Sequence, residues 1–117
     1  MTFDAERVAL ELVAALRAPL DRLERRSRTH ADQARRAAAS AALNLSEGRR
    51  RAGRDRFHCW RIAAGSAAEL RTALAVASAW GWLSDEELGP ARALLDRVLA
   101  MTWRLLHPRA APGAVRY

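Results

Sequence analysis

Between Thr29 and Glu47 the apolar positions that recur at helical spacing are Ala34, Ala38 and Ala41, with Ala37 and Ala42 beside them, and only Leu45 is large. A helix with so thin a buried face gains little unless a neighbouring backbone comes very close. The following segment offers such a neighbour in Gly65-Ser66-Ala67-Ala68. A glycine in mid-helix costs about 1 kcal/mol relative to alanine, and close contact with another helix is a good reason to keep one. Packing the two segments antiparallel about a turn near Arg51 places Asn44 opposite His58, Ala37 opposite Gly65 and Gln33 opposite Glu69. This register predicts Ala37 and Ala41 tight against Gly65 and Ile62. It also pairs Glu69 with Arg36, or hydrogen-bonds it to Gln33.

Two further amphipathic stretches flank this hairpin. Val8, Leu12, Leu16, Leu20 and Leu23 share one face of a helix over residues 4–26, with Pro19 bending it near Ala15–Pro19. The second helix covers 29–47, opened by Thr29 with Asp32 three residues on and stopped by Gly48. The third covers 54–80 and ends at Gly81. It carries two apolar stripes, Cys59/Ile62/Ser66/Leu70/Ala73/Ala77 and Phe57/Trp60/Ala64/Ala67, so it must bury more than one side. The fourth covers 85–106, opened by Ser84 with Glu87 as a capping box and ended by His107-Pro108. Leu88, Ala91, Leu95, Val98, Thr102 and Leu105 form its apolar face, and Pro90 disturbs its first turns. Residues 108–117 read as a flexible tail. The fold class is all-α: a single domain over residues 1–107, built as an antiparallel up-down-up-down four-helix bundle.

Charge is concentrated at the second turn. Arg49, Arg50, Arg51, Arg54 and Arg56 follow Gly48 within eight residues, and residues 49–71 hold +5 of the chain's net +7. All 20 basic residues are arginine, whose planar fork suits phosphate and carboxylate. An isoelectric point near 11.4 favours an anionic partner. One or two cations would satisfy the helix dipole at such a turn. Five repel one another unless an anion or an acidic surface is near. Phosphate binding by Arg49, Arg50, Arg51, Arg54 and Arg56, a protein partner or salt-bridge use, and plain solvation are the three uses open to them.

Other chemistry finds little support. His30, His58 and His107 are far apart in sequence, and adjacent His58 and Cys59 point about 100° apart on a helix, poor geometry for zinc. No metal or cofactor is expected. Asn44 and Glu47 share a helical side near the arginines, where a glutamate is ordinarily an ion-pair partner. No nucleophile motif or phosphate-cradling glycine loop occurs, so the chain reads as a non-enzyme. The single Cys59, the absence of a secretion signal and the lack of a long apolar run make the cytoplasm the expected location. Trp60, Trp80, Trp82 and Trp103 exceed what one thin core hides comfortably, which points to self-association. Trp60 could instead stack on an unpaired base, although core packing is the commoner use of such a residue.

The string Gln33-x-x-Arg36-Ala37-Ala38-x-Ser40-x-x-x-Asn44-Leu45-Ser46-Glu47-Gly48 resembles the four-helix-bundle family of 23S rRNA intervening-sequence proteins. The resemblance continues through the Arg-rich turn and Phe57 to Ile62-Ala63-x-Gly65-Ser66-Ala67-x-Glu69-Leu70. Leu45-Ser46 stands where Ile-Ala is usual in the family, and Cys59-Trp60-Arg61 replaces a more aliphatic or aromatic stretch. The resemblance implies a non-enzymatic bundle assembling as a ring, typically a homopentamer, from genes often inserted in large-subunit rRNA genes. It marks Gln33, Arg36, Asn44, Glu47, Gly48, Gly65, Ser66 and Glu69 as motif positions. A related group, the accessory variability determinants of diversity-generating retroelements, comprises basic pentameric barrels that bind nucleic acid and a reverse transcriptase. By that likeness, the partners to expect are RNA or DNA with weak sequence preference, and as the alternative an acidic protein such as a reverse transcriptase or RNA-processing factor.

Overall fold

The computed structural model describes residues 3–108. It contains α1 (Asp4–Glu24), α2 (Arg28–Arg49), α3 (Gly53–Ala79) and α4 (Asp85–Leu106), with no strand among the described residues. The tail expected to be flexible lies outside them from residue 109 onward. None of the helices is long and apolar enough to cross a membrane.

α1 runs unbroken through Pro19, which is buried on its inner face. α2 starts earlier than its sequence suggested. Ser27, in an extended conformation, caps it by accepting the His30 amide at 3.2 Å. Thr29 therefore lies inside the first turn, and Asp32 stands 3.4 Å from Arg35 instead of closing a capping box.

The end of α3 is as expected. Gly81 takes φ +74°, the Trp82 amide bonds to the Ala77 carbonyl and the Gly81 amide bonds to the Ser78 carbonyl. This is the Schellman closure that a left-handed glycine permits. α4 opens with the reciprocal capping box of Ser84 and Glu87, at 3.1 and 2.8 Å. It continues unbroken past exposed Pro90.

The Glu87 carboxylate also accepts from Arg22 on α1. The Ser84 backbone amide, with Arg22 second, holds its carboxyl below the ordinary value of 4.5. A carboxyl lowered in the folded state contributes stability that is present above its unfolded value and lost as pH falls through the folded one. Glu47 and Asp85 are lowered in the same way, chiefly by Arg51 and by Arg92 respectively. The thermal midpoint should therefore fall as pH is taken from about 5 to about 3. Glu87→Gln should flatten part of that fall in scanning calorimetry.

α1 packs on α2 and α4, and α3 packs on the same two helices, so the four form a square around one core. Pairs across α2 and α3 run in opposite directions: Leu45 with Trp60, Ser40 with Ser66, His30 with Ala73. Leu12, Leu16, Leu23, Leu70, Leu74, Leu88, Leu95 and Val98 fill the centre. α2 contributes Leu45 and an alanine wall comprising Ala31, Ala34, Ala37, Ala38 and Ala41. The thin face does buy close packing, since α2 and α3 share the most extensive helix pair.

The register within that pair differs from the expected one. Ala63, Ser66, Ala67 and Leu70 face inward, whereas Gly65 and Glu69 are exposed and Ile62 is 40% exposed. A Cβ at Gly65 would meet nothing within 4 Å. Glu69 makes no ion pair with Arg36, and Gln33 and Arg36 are themselves exposed. The buried face of α3 runs instead through Trp60, Ala63, Ala67 and Leu70, with the Trp60 indole under the end of α2.

Candidate nucleic-acid interface

The α2–α3 turn is organised around Trp60. The indole is buried and lies against Gly48, where an added Cβ would come within 2.5 Å of indole Cδ1 and 3.1 Å of the Arg56 carbonyl. Gly48 is thus an interior helical residue kept small for close approach, and not the stop of α2, which continues to Arg49. The indole N–H donates toward the Leu45 carbonyl at 3.4 Å. Phe3 stacks on the indole with centroids 6.1 Å apart, and Phe57 meets it edge-on at 5.9 Å. Trp60 is therefore a core residue and offers no free face to a base.

The five arginines of the turn do not share one environment. Arg56 donates to the Gly48 and Arg49 carbonyls, both at 3.1 Å, and lies 5.4 Å above the Trp60 ring. It adds a donor to the Gly48 carbonyl, which also accepts the Arg51 amide at 3.2 Å, and to the Arg49 carbonyl at the end of α2. Arg49 reaches Glu6 on α1 at 3.3 Å and sits 5.8 Å from the Phe3 ring. Arg50 and Arg51 both contact Glu47, at 3.3 and 2.9 Å. Arg54 is exposed and forms no ion pair among the described residues.

Two carboxylates therefore engage three guanidiniums, and the turn keeps a cationic excess. These pairs are solvent-exposed, a setting in which such contacts add little to stability. A phosphate can compete for them. Glu47 is held ionised by Arg51 first and Arg50 second, the state of an ion-pair partner and not of a proton donor.

The remaining motif positions lie away from the turn. Ser66 is buried with its hydroxyl 2.7 Å from that of Ser40, and Asn44 donates to the Ser40 carbonyl at 2.9 Å. Gln33, Arg36, Gly65 and Glu69 line the outside of the α2–α3 pair. Reading from sequence missed Glu6 and Phe3, more than forty residues before the turn they complete. No local signal marks such a contact. Among the described residues no group of His, Cys, Asp and Glu is placed to hold a metal ion.

A model of the 23S rRNA-intervening sequence protein family matches residues 4–104. The chain belongs to this family. The match extends over all four helices, well beyond the motif hairpin. A solved structure from the S23 ribosomal protein family of Bacteroides thetaiotaomicron, itself described as of unknown function, has the same fold. It superposes with a TM-score of 0.79 at 15% identity, covering 87% of this chain and 97% of that one. No curated protein matches the chain.

Proposed function

We propose that this member of the 23S rRNA-intervening sequence protein family is a non-enzymatic, cytoplasmic nucleic-acid-binding bundle. It contacts phosphates through the arginine-rich end of α2 and α3 and works as a homo-oligomer, most simply the homopentamer expected of the family, with or without the kinship to retroelement accessory proteins. The observation that supports this most is the imbalance at the turn, where five arginines face three carboxylates among the described residues: Arg49 pairs with Glu6, Arg50 and Arg51 share Glu47, Asp55 stands beside Arg54, and neither Arg54 nor Arg56 forms an ion pair. Charge of this kind grips the phosphodiester backbone with little reading of sequence.

Titration of labelled RNA and DNA oligonucleotides at two salt concentrations tests it. Affinity should fall steeply as salt rises. Absence of binding at low salt, or binding indifferent to salt, would overturn the proposal. Light scattering on the same preparation should give about 65 kDa for five chains of 13.0 kDa. A 13.0 kDa particle would remove the oligomer from it.

A second reading, an adaptor docking an acidic protein, draws on the exposed Trp80 and Leu43, each 68% accessible. A protein contact of this kind would survive nuclease treatment in a pull-down, whereas a nucleic-acid bridge would not.

A further inference from the structure

Outside the turn, one face of α3 carries chemistry that the fold does not use. Arg54, His58, Arg61 and Gly65 recur at spacings of four, three and four, and all are exposed. They therefore form one solvent-facing line along the helix. Arg54, His58 and Arg61 make no ion pair and no side-chain hydrogen bond among the described residues. This sets them apart from Arg49, Arg50, Arg51 and Arg56, whose side chains already have partners in the fold. From Arg54 to Arg61 the helix rises about 10 Å, enough for successive phosphates of one strand to lie along it.

Gly65 fits the same line. Its Cβ position is open, so it is not kept for packing within the bundle. An exposed glycine in mid-helix costs about 1 kcal/mol relative to alanine, which makes a flat, side-chain-free stretch of helix surface worth explaining. A glycine lets a ligand backbone approach closely. One turn further on, Glu69 places a negative charge on the surface and closes the cationic line.

We infer that a nucleic-acid strand leaves the turn and runs along the outer face of α3, its phosphates held by Arg54, His58 and Arg61 and its backbone passing over Gly65. This rests on the nucleic-acid reading above and deepens it. The free guanidiniums of α3 grip the strand more than the paired ones of the turn do.

The test is fluorescence anisotropy with single-stranded RNA and with DNA of the same sequence, over a salt series. Each phosphate contact on a single strand contributes about 0.7 to the salt slope. The double variant Arg54→Gln/Arg61→Gln should lose about tenfold in affinity at low salt and show a slope shallower by about 1.4. Gly65→Gln should weaken binding several-fold with the slope unchanged, since it adds bulk and no charge. Its thermal midpoint should equal or exceed that of the parent, because the position is open. Arg50→Gln/Arg51→Gln should have the smaller effect on affinity.

Wild-type binding that both α3 variants leave intact, while the turn variant abolishes it, overturns the inference alone. Losses confined to one of the two polymers overturn the assignment to phosphates. A wild-type chain that binds neither polymer at low salt overturns the nucleic-acid reading and this inference with it.

Discussion

Trp60→Ala is expected to lower the stability of the bundle by about 3–5 kcal/mol, the usual cost of truncating a large buried aromatic. Urea unfolding followed by circular dichroism would measure it. The indole holds together parts of the chain that otherwise meet weakly. Phe3 stacks on one face, Phe57 packs on its edge, Arg56 lies over it and α2 runs past it at Gly48. Removing it opens a void at a bundle end that has no large aliphatic side chain from α2 beyond Leu45. A domain of this size commonly has only about 5–15 kcal/mol in total, so the variant should be partly unfolded at physiological temperature. Trp80→Ala is the matched control. Trp80 is 68% exposed and stacks on Trp82 alone among the described residues, and its loss should stay within about 0.5 kcal/mol. Equal effects of the two substitutions would show that Trp60 is not the organising side chain.

Gly48→Ala is the second large effect, and its sign runs against helix propensity. Inside a helix the change should help by about 1 kcal/mol. Here the new methyl would lie 2.5 and 2.6 Å from two indole atoms and 3.1 Å from a backbone carbonyl. Neither neighbour yields cheaply, because the indole is packed between Phe3 and Phe57 and the carbonyl belongs to the first turns of α3. Overpacking of this kind costs about 1–3 kcal/mol, so a net loss is expected. In a Trp60→Ala background the two indole contacts are gone and only the 3.1 Å approach to the Arg56 carbonyl remains, so Gly48→Ala should cost clearly less or become neutral. A double-mutant cycle by urea denaturation reads that coupling directly. An additive cycle would separate the two residues.

Gly48 and Gly81 also show how far local sequence carries. Both follow apolar-periodic stretches, and both read as helix stops. Only Gly81 has the left-handed conformation and the paired closing hydrogen bonds. What distinguishes Gly48 is an indole twelve residues later, a contact that no local rule encodes. Ser27 carries no capping-box signature, because no acidic residue stands three positions on and His30 donates to it only through its backbone amide. The four helices, the capping box of α4 and the leucine faces of α1 and α4 were legible because they rest on short-range periodicity. The rotation of α3 was not, since both of its apolar stripes read as buried, and the spacing does not say that Ile62 would be left 40% exposed while Trp60 is covered. The cationic turn was plain in the sequence. Which guanidiniums it leaves free was not, because Glu6 reaches Arg49 only once the first and second helices are side by side.

Phe3 lies against Trp60, and the first turn of α1 lines a cleft of about 560 Å³ with Arg49, Met101, Arg104 and Leu105. The start of α1 and the finish of α4 are thus close neighbours of the arginine bend. A purification tag or fusion partner at the N-terminus would be attached only two residues ahead of Phe3, and an acidic one can compete with a ligand for the guanidiniums. Binding measurements on this molecule therefore call for tag-free protein, or for a spacer long enough to carry the appendage clear of that pole.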